Sequence, residues 1–126
     1  MLRCVFPLAL AAALALPAAA QPSRPFPATA LRGELIVLQP PDVMLNGKPA
    51  RLAPGARIRG TDNLLQMSAA LVGARLVVNY TLDPYGLVHD VWILNDAERQ
   101  REPWPRTPAQ AASWSFDAAA QTWTRP

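Results

Sequence analysis

Few residues in this chain have types or spacings that could do chemistry. His89 is the sole histidine, and Asp90 follows it directly. On a regular strand neighbouring side chains project to opposite faces, so the two are not expected to form a dyad. His89 would then share a face with Leu87, Val91 and Ile93, as a core or edge histidine does. Cys4, the one cysteine, lies in the leader described below, so the mature chain has neither thiol nor disulfide. A zinc site would therefore have to be built mainly from carboxylates. The nine acidic residues show no E-x-x-H or D-x-D-x-D-G spacing. Ser23, Ser68, Ser113 and Ser115 stand outside any G-x-S-x-G elbow, and the glycines form no phosphate-cradling run. The expectation is a non-enzymatic protein with no catalytic residue, metal ligand or cofactor.

Two groups of residues could instead bind. Arg51, Arg57, Arg59 and Arg75 fall on neighbouring short apolar runs. They form a candidate anion-binding face for phosphate, a lipid headgroup or an anionic polysaccharide. The competing reading is a solvated strand face with ordinary charges. The formal net charge is +3, from twelve Lys+Arg against nine Asp+Glu, with Lys48 the only lysine. That excess is too small and too dispersed to indicate a nucleic-acid binder. The second group is Trp104, Trp114, Phe116 and Trp123, a candidate surface for docking onto a partner.

The elements that would carry these residues follow from turn chemistry. Residues 1–20, MLRCVFPLALAAALALPAAA, read as a secretory signal peptide. Arg3 gives the charged start, Val5–Leu16 the apolar run, and Ala18-Ala19-Ala20 a cleavage site before Gln21. The run is shorter than the roughly 20 residues of a spanning helix and is broken by prolines, so no transmembrane segment is expected in the mature chain. Localisation in the periplasm or secretion follows. Residues 21–30, QPSRPFPATA, with three prolines, read as an extended spacer. Residues 31–96 carry short Val/Ile/Leu-rich runs closed by turn clusters. These predict strands at Arg32–Gln39, Val43–Asn46, Ala50–Leu52, Ala56–Arg59, Leu64–Met67, Arg75–Thr81 and Leu87–Leu94. Asn46-Gly47 predicts a type I′ hairpin turn. Pro54-Gly55 predicts a type II turn. Arg75–Thr81 alternates, with Leu76, Val78 and Tyr80 on one face and Arg75, Val77, Asn79 and Thr81 on the other.

Residues 97–126 differ in composition. Asn95–Arg106 reads as a charged loop or frayed helix, and Thr107-Pro108-Ala109-Gln110 as a helix start. Ser113–Asp117 and Gln121–Thr124 suggest two short strands about Ala118–Ala120. Three tryptophans and Phe116 in so short a span predict that the tail folds onto the core. The fold class is all-β: a small OB-like barrel or sandwich of about six short strands, with an accessory Trp-rich C-terminal segment.

A resemblance rests on Gly33, Val43-Met44-Leu45-Asn46-Gly47, Leu52-Ala53-Pro54-Gly55-Ala56-Arg57-Ile58, Leu71-Val72-Gly73-Ala74-Arg75-Leu76, Gly86 and Val91-Trp92-Ile93-Leu94. This succession resembles uncharacterised exported small β-barrel proteins of Gram-negative bacteria, which are similar to the OB barrel. The resemblance implies a fold and transfers no ligand-binding residue. The stacking aromatics of a nucleic-acid-binding OB face are thin here, with only Tyr80, Tyr85 and Trp92 in the core region. The function expected is a periplasmic binding or interaction module whose partner is an unknown protein or envelope component. The alternatives are a structural accessory of an envelope assembly docking through the tryptophan tail, or a weak binder of nucleic acid or anionic polymer through the arginine face.

Overall fold

In a computed structural model, which describes residues 24–126, Asn46 and Gly47 both take positive φ, 52° and 77°. The dipeptide thus forms the expected I′-type turn, joining β2 (Asp42–Leu45) to β3 (Lys48–Arg59). β1 (Leu31–Val37) pairs antiparallel with β2 on one side and with β5 (Arg75–Leu82) on the other. β6 (Val88–Ile93) pairs antiparallel with β5 and parallel with β3, which closes the circuit β1-β2-β3-β6-β5 into a five-stranded OB-like barrel. β4 (Leu65–Gln66) adds a short edge to β3. A 3-10 turn, Ser68–Leu71, leads from it into β5. The leader at residues 1–20 and its cleavage site lie outside the described residues.

Alternation along the strands fills the barrel. Leu31, Leu35 and Val37 on β1, Val43 on β2, Leu52 and Ile58 on β3, Val78 and Tyr80 on β5, and Val88 and Val91 on β6 form one buried cluster. Val78 and Tyr80 share a face as the alternation expects, and that face is the inward one, with Leu76 packed against the same cluster. Gly33 faces this interior opposite Val78, where a Cβ would lie 2.9 Å from Tyr80 Cε1. Its bare backbone makes the space that the tyrosine ring occupies.

Two details depart from the sequence reading. Ala50–Leu52 and Ala56–Arg59 are one strand, and Pro54-Gly55 does not reverse the chain. Gly55, at φ 77°, lies in an irregularity between Leu52 and Arg57 where the register with β6 shifts. The proline lacks an N–H and the glycine accepts positive φ, so the pair is accommodated as a bulge within the strand. The second departure lies on β6, where Leu82 pairs with Val88 but Tyr80 pairs with Val91. Thr81 of β5 therefore opposes two residues of β6, and the extra residue falls at His89-Asp90.

A second layer lies outside the barrel. Arg32, Asn79 and Trp92 point away from the interior, yet Arg32 and Asn79 are buried. They are covered by residues 24–30 and by the C-terminal segment. Phe26, Ala30, Leu94, Trp104 and Trp123 make a second buried cluster, with Trp92, Trp114 and Phe116 against it. Phe26 meets Trp92 and Trp104 edge-on at 5.5 and 5.8 Å, and Trp123 meets Phe116 at 4.7 Å. The tail thus folds onto the barrel as expected, while the segment read as a spacer is part of the core over residues 24–30. Phe26 is the reason: a large apolar ring among prolines finds an aromatic seat, and burying it outweighs the cost of ordering a few residues already stiffened by proline.

Hydrogen bonds fasten the layer. The Gln121 side chain accepts from Phe26 N at 2.7 Å and donates to Phe26 O at 3.3 Å. Trp104 Nε1 donates to Ala30 O at 3.0 Å, and Arg32 N donates to Pro105 O at 2.8 Å. The charged stretch read as a loop or frayed helix holds a short helix, α1 (Asp96–Arg99), closed by a capping box between Asn95 and Glu98. The Glu98 side chain is fully buried against the Arg24 guanidinium, Nη2 to Oε1 at 2.6 Å and Nε to Oε2 at 3.0 Å. Arg24 also donates to Gly60 O and Ile93 O, so it ties the N-terminal segment to two strand ends. Downstream, α2 (Pro108–Ser113) starts on Thr107, whose side chain accepts from Gln110 N. β7 (Ser115–Asp117) and β8 (Thr122–Thr124) pair as the expected hairpin.

Candidate functional site

The arginine face expected from the sequence is not assembled. Arg57 and Arg59 share one side of β3, in register with Asp90 and Trp92 of β6. Arg75 lies on β5, beyond β6, in register with Ile36 of β1. Arg51 and Arg75 are exposed and already paired, Arg51 Nε with Asp42 Oδ1 at 3.3 Å and Arg75 Nε with Glu34 Oε1 at 3.2 Å. Arg51 shares β3 with Arg57 and Arg59 but is paired with Asp42, and Arg75 is separated from all three by β6 and paired with Glu34, which leaves no single surface of four free cations. The tryptophan surface is corrected in part. Trp104 and Trp123 are buried in the second core, while Trp114 and Phe116 are half-buried at its edge.

The bulge on β6 brings together a pair that strand geometry had kept apart. His89 Nδ1 lies 3.1 Å from Asp90 Oδ2, and Asp90 N donates to Thr81 Oγ1 at 3.2 Å. His89 does not share the inward face of Val91, since Val88 and Val91 point inward and the inserted residue rotates the histidine out to solvent. The signal was the apolar spacing itself: two inward valines three residues apart do not fit a period of two. The pair is exposed, and none of the concave sites described below includes it.

Concave geometry lies elsewhere. A groove of about 690 Å³ runs between the β2–β3 hairpin and the start of α2. Leu45, Pro49, Ala50 and Tyr80 give it an apolar wall, and Glu34, Asn46, Lys48, Arg106 and Thr107 a polar one. Each wall follows from the local chain. The I′ turn presents Asn46 and Lys48, with Asn46 Oδ1 held by Glu34 N at 2.9 Å. The Thr107 cap fixes the start of α2, and Arg106 N donates to Gln110 Oε1 at 2.8 Å. Tyr80 looks out from the barrel interior, and burial raises its hydroxyl pKa above the ordinary value.

Beside the groove, and sharing Arg106 with it, lies a smaller polar pocket of about 170 Å³. Arg32, Arg106 and Arg125 line it with Glu102, Pro103 and Trp104. Arg32 is the unusual member, a residue only 4% exposed on the outward side of β1. It donates to Asn79 Oδ1 at 2.8 Å, Glu98 O at 3.1 Å and Arg99 O at 3.4 Å, and lies 5.3 Å from the Trp104 ring centroid. Among the described residues no carboxylate pairs with it, because Glu98 is taken by Arg24. Burial pushes its pKa down to about 10; the charge of Glu102 pulls it up and that of Arg106 pushes it down. It remains a cation at neutral pH.

Comparison with protein-family models, with curated proteins and with solved structures finds no match to this chain. Among the described residues no group of three His, Cys, Asp or Glu side chains is placed to hold a metal, and no helix is long and apolar enough to cross a membrane. Sequence reasoning had passed over Arg32, Arg106 and Arg125. Nothing in their spacing marks them, since the pocket exists only once β1, the α1–α2 connection and the end of β8 are folded together.

Proposed function

We propose that this chain is an exported periplasmic binding module that works without catalysis, and that its ligand lies in the groove between the β2–β3 hairpin and α2. The observation that carries this reading is the groove's lining. An apolar wall of Leu45, Pro49, Ala50 and Tyr80 faces Lys48, Arg106 and Thr107 across a volume within the usual range for small-molecule sites. Its walls are held by the hairpin turn and the α2 cap, so the groove needs little ordering when a ligand enters. The accessory alternative has only the half-buried Trp114 and Phe116 to offer, since docking through Trp104 or Trp123 would take them out of the second core.

The test is a set of ¹H–¹⁵N spectra of the mature protein with a panel of small peptides, sugar acids and phosphorylated sugars. A ligand should shift the amides of Asn46, Lys48, Ala50 and Thr107 saturably. Pro49→Tyr, which places a ring in the groove from an exposed strand position, should abolish the shift. If no class perturbs these amides, or the shift survives Pro49→Tyr, the groove is not the site. Export is tested by N-terminal sequencing of periplasmic material, where a chain beginning at Gln21 is expected and one retaining Cys4 contradicts it.

A further inference from the structure

We propose that the pocket of Arg32, Arg106 and Arg125 binds an oxyanion of phosphate or sulfate size, as a site distinct from the groove although the two share Arg106. Three arginines line it against one carboxylate, Glu102. Arg32 is the key residue. A buried charge is costly unless it is paired, and breaking a buried pair is strongly destabilising. Here the partners are neutral oxygens: the Asn79 amide and two α1 carbonyls. They satisfy three of the five N–H donors that a guanidinium carries. An anion entering the pocket would offset the cost of the buried cation and meet the forked donors that suit phosphate and sulfate.

The other members are placed to complete such a site. Trp104 packs against the Arg32 guanidinium and is itself held by Ala30 O, so the floor is rigid. Arg125, just past β8, lies against Trp114, 5.3 Å from its ring centroid, and Arg106 directly precedes the Thr107 cap with its backbone N–H bonded to Gln110, so each has one local anchor at the pocket rim. The volume of about 170 Å³ equals roughly five or six waters at about 30 Å³ each, enough for a tetrahedral oxyanion and little more. A free oxyanion and a phosphate or sulfate group on a larger molecule share this chemistry. In the second case the remainder of the molecule would extend past Arg106 into the groove.

The experiment uses inorganic phosphate and inorganic sulfate on the mature protein at neutral pH, with chloride added to hold ionic strength constant. The expected result is a saturable shift of the Arg32 Nε–H and Trp104 Nε1–H signals, together with a melting temperature above that in chloride alone. Arg125→Gln should weaken binding about tenfold, the size of one charge-assisted contact. Arg51→Gln removes the same charge from an exposed residue outside the pocket and should leave the affinity unchanged. No saturable shift, or equal weakening by both variants, overturns the site, the second outcome reducing it to general electrostatics. A phosphorylated sugar that shifts the amides of Lys48 and Ala50 as well identifies a carried group; shifts confined to the pocket identify the free ion. Phosphate binding with no groove ligand sinks the groove reading and leaves this site standing, and the converse pattern does the opposite.

Discussion

Phe26→Ala separates a docked N-terminal segment from a tether. Phe26 is 3% exposed and touches Trp92 and Trp104 edge-on, with its backbone clamped by Gln121. Truncating a buried phenylalanine costs about 3–5 kcal/mol. This second core lies on the outside of the barrel, where neighbours can close up, so the lower figure of about 3 kcal/mol is expected. Taking m as about 2 kcal/mol per molar in urea, the midpoint should fall by about 1.5 M with m unchanged. Unfolding followed by tryptophan fluorescence and by far-UV circular dichroism measures it. Trp92 and Trp104 face the lost ring, so the native emission of the variant should also move to the red. A substitution in a free tether changes stability by less than about 0.5 kcal/mol. A midpoint shift below about 0.25 M would therefore refute the docked segment.

Other perturbations probe separate features. Glu98→Gln leaves Arg24 buried opposite a neutral amide and should cost about 3 kcal/mol at neutral pH. Burial alone would raise the Glu98 pKa, but hydrogen bonds from the Arg24 side chain and from the backbone of Asn95 and Arg24, with Arg24's charge, hold it below the ordinary value. Its stabilisation is then complete above the unfolded pKa of about 4.3 and is lost as pH falls from there through the folded value. The melting curves of the wild type and of the Glu98→Gln variant should accordingly converge in acid, and a gap that stays constant to low pH would contradict the pairing. Gly47→Val meets open space but forces a β-branched residue to φ 77°, at about 1–2 kcal/mol; an unchanged urea midpoint would misplace the turn. Gly33→Ala drives a Cβ to 2.9 Å from the Tyr80 ring, and about 1–3 kcal/mol should be lost to overpacking, read in the same assay.

The barrel was legible because its turns are chemically explicit. Asn46-Gly47 takes the two positive φ values that its type implies. Asp83-Pro84-Tyr85-Gly86 closes on Asp83 Oδ1, which accepts from the N–H groups of Tyr85 and Leu87. The helix start at Thr107-Pro108 was equally readable, since capping is local. What escaped were features that two distant segments make together. Composition alone makes residues 21–30 a linker; only the aromatics of the tail give Phe26 somewhere to go. The bulge at His89-Asp90 changes which residues face in without changing the apolar content of the strand, so alternation misplaced the histidine. In sequence Arg32 is a charge at the start of a largely apolar run. Its partners in the pocket lie far along the chain, at Glu102, Arg106 and Arg125, and no spacing rule connects them.

Native-state hydrogen exchange tests most directly whether the second layer, and with it the groove and the arginine pocket, is a permanent part of the fold. The reporters are Phe26 N–H on Gln121, Arg32 N–H on Pro105 and Trp104 Nε1–H on Ala30. They are to be compared with the amides of Val78 and Val91 in the barrel interior. If the two cores form one cooperative unit, all should open with the global unfolding free energy. Exchange of the three reporters within about tenfold of the rate of an unprotected peptide, while Val78 and Val91 stay protected, would mean that the layer opens freely and would contradict the account.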